Sequence, residues 1–149
     1  MNYLNKSESA QRRDERDRQL TLLYCEIYDN LQKRRVKNLR QVALTIAIST
    51  GTPRYHVGFD RAYIVVPKLL NGDENISFKS NVNREMWLDL TKKVKCLITQ
   101  GKMSIAKAID IVLEQCHASQ FFLTPDHAWV IIKRELCRMN CRRPYGRAA

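Results

Sequence analysis

The sequence predicts an all-α protein: two tandem copies of a three-helix unit, each with a short extended aromatic connector before its third helix. Three observations lead there. Apolar residues recur at three-and-four spacing through six separate segments, which is the period of an amphipathic helix. Apolar residues make up 44% of the 149 positions, enough for a globular interior. Shifted by 66 residues, the chain also aligns with itself without a gap, so that 53–70 falls on 119–136. In that stretch Asp60/Asp126, Ala62/Ala128 and Leu70/Leu136 are identical. Seven further pairs keep their class, among them Tyr55/Phe121, Tyr63/Trp129 and Lys68/Arg134. Upstream the same shift pairs Arg18/Arg84, Leu22/Leu88 and Leu31/Leu97. A unit of this size is marginal alone, so the two copies are expected to share a core.

Residues 1–12 are polar and aperiodic and are expected to form a loose arm. The first unit, 13–72, opens with a helix from Arg13 to about Lys33, apolar at Leu20, Leu23, Tyr24, Ile27, Tyr28 and Leu31. Arg12, Arg13, Arg16 and Arg18 crowd its start, where cations oppose the helix dipole, and Asp14, Glu15 and Asp17 offset part of that cost. Asn38 is the candidate N-cap of a second helix with Leu39, Val42, Ala43, Ile46 and Ala47 on its apolar face. Gly51 and Pro53 end it. A third helix spans Phe59 to Leu70, and Pro67 is expected to kink or shorten it.

The turn-rich run 71–75 separates the units. In the second, 73–139, a helix from Asn83 to about Gln100 precedes one capped by Ser104. The last helix starts with Thr124 as cap and Pro125 at the first helical position. Residues 140–149 form a basic tail. The connectors Tyr55-His56-Val57 and Phe121-Phe122-Leu123 are expected to pair as a two-stranded ribbon across a pseudo-twofold axis. Alternation in an extended segment would turn Tyr55 and Phe121 inward and His56 and Phe122 outward.

The charge points to partners. The net charge is +11 and divides evenly: 13 basic against 7 acidic residues in 1–72, and 13 against 8 in 73–149. Such a field attracts polyanions, nucleic acid first, with DNA favoured over RNA. The candidate phosphate-binding residues are Arg34, Arg35, Lys37 and Arg40 at one interhelix joint, and Lys92, Lys93, Lys95 and Lys102 at the matching one. Arg61 and Arg134 on the third helices join them, with Arg138, Arg142, Arg143 and Arg147 toward the C-terminus. The alternative is a protein-interaction adaptor or an assembly component, of the kind phages carry, that seats His56 and Phe122 in a partner.

A helix-turn-helix motif is disfavoured because the junction 51–58 is eight residues long, against about three or four in that motif. Five cysteines, none repeated under the shift, suit free thiols in a reducing cytoplasm better than a disulfide frame. Cys137 and Cys141 stand four apart with Cys116, His117 and His127 upstream, but the tight Cys-x-x-Cys knuckle of a zinc site is missing. No glycine-rich phosphate loop or nucleophile elbow occurs, so neither catalysis nor a cofactor is expected. No apolar run reaches the ~20 residues of a membrane span.

Overall fold

The computed structural model describes residues 7–73 and 75–141, with side chains through Met139. Its described residues form six helices: α1 Glu8–Lys33, α2 Leu39–Ser49, α3 Phe59–Leu70, α4 Asn81–Gly101, α5 Ile105–Gln115 and α6 Pro125–Cys141. None is long and apolar enough to cross a membrane.

Local chemistry explains most of the helix ends. Ser104 Oγ accepts from Lys107 N, and Thr124 Oγ1 accepts from His127 N ahead of Pro125, as expected from the sequence. Asp60 and Asp126 occupy the first turns of α3 and α6, where a carboxylate suits the positive end of the dipole. At the far end of α3, Gly72 at φ 75° closes a Schellman turn, with Gly72 N bonded to Leu69 O and Asp73 N to Lys68 O.

Several boundaries differ from expectation. Residues 8–12 are not part of a loose arm, because Ser7 Oγ caps Ala10 N and α1 begins at Glu8. A polar cap leaves no trace in apolar periodicity. The arginines from Arg12 to Arg18 therefore lie beyond the first turn, outside the reach of the dipole penalty. Asn38 holds the N-cap position of α2 at φ 53° without a side-chain cap bond. Ser80 caps α4, which begins at Asn81, two residues ahead of the expected Asn83 start. Pro67 does not stop α3, which continues to Leu70. In the last turn a missing N–H removes a single bond, and the Tyr63 carbonyl it would have served belongs to an exposed residue.

Packing joins elements distant in sequence. One hydrophobic cluster unites Leu20, Tyr24 and Leu31 of α1, Ala43, Leu44, Ala47 and Ile48 of α2, and Ala128, Ile131 and Ile132 of α6. The other unites Ala62, Val65 and Val66 of α3 with Met86, Trp87, Leu90 and Val94 of α4 and Ala108, Ile109, Val112 and Leu113 of α5. Each core thus takes its third helix from the other half of the chain, across the division at 72/73. In α2 the buried face is Ala43, Leu44, Ala47 and Ile48, and Ile46 is turned outward. Seven of the ten residues from Leu39 to Ile48 are apolar, so two stripes can be drawn and packing selects one.

The two clusters meet at the connectors. No ribbon forms between Tyr55–Val57 and Phe121–Leu123. A single antiparallel bridge lies three residues earlier, where Thr52 and Ala118 exchange both backbone hydrogen bonds at 3.0 Å. These two positions are 66 apart. The rings that follow stack across the junction, Tyr55 on Phe122 at 6.4 Å and His56 on Phe121 at 6.2 Å. The 66-residue shift converts either stack into the other. Phe122 adopts φ 56°, which ends the extended alternation there.

A cationic cleft as the candidate functional site

A cleft of about 890 Å³ opens where the two clusters meet. The connectors line it together with α1 and α6 on one side and Arg61 of α3 and the N-terminal part of α4 on the other. Seven cations line it: Arg13, Arg16, Arg54, Arg61, Lys79, Arg134 and Arg138. The lining carboxylates are Asp14 and Asp17. Glu15, Glu114 and Glu135 bond Arg54 and Arg138 from outside the lining, so the positive surplus rests mainly on Arg13, Arg61 and Lys79. Cations around one concavity focus potential more strongly than the same charges spread over a convex surface.

The cations fall into two groups. Arg16, Arg54, Arg134 and Arg138 are held by carboxylates. Asp17 is buried, accepting Arg16 Nε and Nη2 on Oδ1 at 3.0 and 2.9 Å and Arg134 Nη2 on Oδ2 at 2.8 Å. One carboxylate thereby fixes two guanidinium groups, on α1 and α6. Arg54 grips Glu15 with a two-bond fork at 2.9 and 3.0 Å and reaches Glu114 at 3.3 Å. Arg138 pairs with Glu135 at 3.1 Å. Arg13, Arg61 and Lys79 are exposed and have no carboxylate within 4.0 Å among the described residues.

Beneath the cleft lies a polar cluster that joins α1 to connector and α5. Arg12 is buried, and its Nη2 donates to Glu8 at 3.1 Å and to Glu114 at 2.6 Å. Glu8 accepts the backbone N–H of Phe59 at 2.8 Å and so caps α3 from another helix. That bond is the main reason its carboxyl titrates below the usual range. The Arg54 fork lowers Glu15 in the same way, and Glu15 in turn holds Arg54 in its charged form.

His56 is not outward. Its ring is buried, 3.0 Å from Gln19 Oε1 and 3.6 Å from Glu15, with one face on Phe121. Burial lowers its pKa from 6.5 to about 4; Arg16, Arg54 and Arg12 add to the fall and Glu15 opposes it. The outward assignment fails because the connector runs between two hydrophobic clusters and is covered on both sides. Tyr55 donates its hydroxyl to Asp89, and burial with that bond raises its pKa. Phe122 is half-buried at the cleft.

Of the fourteen expected phosphate-binding residues, Arg61, Arg134 and Arg138 line the cleft. Arg34, Arg35, Lys37, Lys92, Lys95 and Lys102 are exposed elsewhere. Arg40 is exposed with its guanidinium 4.8 Å over the Trp129 ring, which ties α2 to α6. Lys93 is committed to structure: it donates to His117 O at 2.7 Å and lies 5.0 Å over the Tyr55 ring. Arg142, Arg143 and Arg147 lie outside the described residues.

Arg13, Arg16, Arg54 and Lys79 are cleft cations absent from the sequence-derived set. The signal for two of them was the shift itself. Eight 66-residue pairs line the cleft, including Arg13/Lys79, Arg61/His127, Tyr55/Phe121 and His56/Phe122. No protein-family model, curated protein or solved structure matches this chain.

Proposed function

We propose that this chain is a non-catalytic nucleic-acid-binding protein built from two fused copies of a three-helix unit that exchange their third helices. Its cleft receives the sugar–phosphate backbone. The observation that carries the reading is the convergence of seven cations on one concavity, three of them without carboxylate partners among the described residues. Arginine forks on fixed carboxylates are preorganised, so little side-chain freedom is lost when phosphate arrives. The duplication is supported by α2 and α5 starting 66 residues apart, by the Thr52–Ala118 bridge and by the interchangeable aromatic stacks. The buried faces of α2 and α5 differ by about one position, consistent with separate repacking after duplication.

The test is binding of labelled oligonucleotides across salt. Affinity should fall steeply between ~50 and ~200 mM salt as condensed counterions are released. Replacing Arg13, Arg61 and Lys79 together with alanine should flatten the slope of log K against log salt by about 2–3, at ~0.7–0.9 per lost phosphate contact. Replacing Arg34, Lys92 and Lys95 instead should leave it nearly unchanged. Equal losses in both triple variants would mean bulk charge, not the cleft, holds the ligand, and no binding at low salt would end the proposal.

A protein-interaction adaptor is the second reading, now resting on different residues. Leu22 and Leu88 are 53% and 44% exposed, and Ile64 and Val130 are 51% and 52% exposed. Both pairs are related by the 66-residue shift. Exposed apolar side chains at repeated positions suit a partner that is insensitive to salt.

A further inference from the structure

The cleft repeats its positions across the pseudo-twofold axis but not its chemistry. Arg54 faces Gln120 in the pairing, Asp17 faces Asn83, Asp14 faces Ser80, and buried His56 faces half-buried Phe122. Arg13, Arg16, Arg134 and Arg138 lie along the α1–α6 wall, while Arg61 and Lys79 serve the opposite one. A duplex centred on this axis presents two antiparallel strands related by a dyad, and would meet two unlike walls. A single strand has a direction and no dyad, so unlike walls suit it.

Size argues the same way. At about 890 Å³ the cleft falls within the ~300–1,000 Å³ span of sites that enclose small ligands, too small to take in a double helix. Among its lining residues is Phe122, a bulky residue held at φ 56°, where side chains other than glycine are rare. Its ring stacks on Tyr55 and packs against the α3–α4–α5 cluster, while remaining half-buried at the cleft, with no second aromatic ring paired to it among the described residues. Backbone strain of this kind concentrates where a side chain must be presented in a set direction.

Building on the nucleic-acid reading, we infer that the cleft takes a short run of single-stranded nucleic acid, with one unpaired base stacked on Phe122 and its flanking phosphates on Arg13, Arg61 and Lys79. Stacking on an aromatic face is indifferent to base identity, because every base has a π-face. Sequence preference should therefore be weak.

The full chain is titrated into labelled single strands of ~12 nucleotides and into duplexes of the same sequence, followed by fluorescence anisotropy. The single strand should bind at least ~10-fold more tightly, since the duplex must give up stacking to place a base in the cleft. Phe122→Gly should lower single-strand affinity about 5- to 100-fold while leaving the salt slope unchanged, and Phe122→Tyr should restore it. Glycine relieves the positive φ, and a thermal melt of each variant reports whether the fold persists. If Phe122→Gly unfolds the chain, the Phe122→Tyr and duplex arms still decide. DNA and RNA strands run in parallel separate ligands that differ by the 2′-hydroxyl. Equal or tighter duplex binding, or single-strand affinity untouched in a folded Phe122→Gly protein, overturns this inference and leaves the nucleic-acid reading standing. Binding to neither form overturns both.

Discussion

Lowering the pH below the ordinary histidine value of 6.5 should destabilise this fold, because His56 resists the proton that the unfolded chain takes up. The imidazole is 8% exposed, stacked on Phe121 and near three guanidinium groups, and its pKa is lowered from 6.5 to about 4. Because the folded value is the lower one, the unfolded chain binds more protons between those limits, and stability falls as pH drops through that window. The full gap corresponds to about 3 kcal/mol, of which about 2 kcal/mol is lost between pH 7.5 and 5. For a chain of this size that is a fall in Tm of about 4–8 °C. Glu8 and Glu15 have folded pKa values below 4.5, so their contributions persist through this range and are lost only under stronger acid. His127 is lowered too, chiefly by burial, and acts in the same direction. Urea unfolding followed by circular dichroism from pH 7.5 to 5 should therefore be run in a His127→Gln background. There the slope should be present with His56 and largely gone in His56→Gln. A flat profile with His56 intact, or an equal slope without it, would refute the account of a neutral buried imidazole.

Other consequences follow from the packing. Ile132→Ala should cost ~2–5 kcal/mol by leaving a cavity, and because Ile132 belongs to the α1–α2–α6 core, hydrogen exchange should speed more in α1 and α2 than in α4 and α5. The opposite pattern would contradict the third-helix exchange. Arg12→Met should change stability by less than ~1 kcal/mol: buried Nε and Nη1 have no partner among the described residues, while Glu8 and Glu114 are about half exposed and can rehydrate. A loss beyond ~3 kcal/mol in urea unfolding would show the guanidinium is better satisfied than its geometry indicates. Gly58→Ala would place a Cβ 2.6 Å from Ser9 Oγ and 3.2 Å from Ser9 N, prising α3 from the start of α1. It should cost ~1–3 kcal/mol, and Glu8→Ala should then cost less in that background than in the parent, as a double-mutant cycle would reveal.

Six helices and the Ser104 and Thr124 caps were legible in the residues, because caps and apolar periods act within a few positions of chain. The inward face of α3, Ala62, Val65 and Val66, was not, since the apolar stripe also takes in Tyr63 and Ile64, which are exposed. The same local logic misjudged α1, whose first turn rests on Ser7, and α2, whose abundance of apolar residues leaves its inward face undetermined. The cleft was only partly visible. Arg61, Arg134 and Arg138 stand out as basic residues on the third helices, and the 66-residue shift pairs Arg13 with Lys79, but that pairing alone does not bring either into a concavity with them.

By itself, then, the sequence determined helix content, a basic character and a 66-residue self-similarity. Tertiary structure decided which third helix closes which core, and that exchange places α6 beside α1 and α3 beside α4. The physical reason is range. Propensity and capping act over one or two turns, whereas the choice between two similar apolar helices for one groove depends on how the connectors cross, at Thr52 and Ala118. That crossing buries His56 and brings cations from both halves of the chain to one cleft.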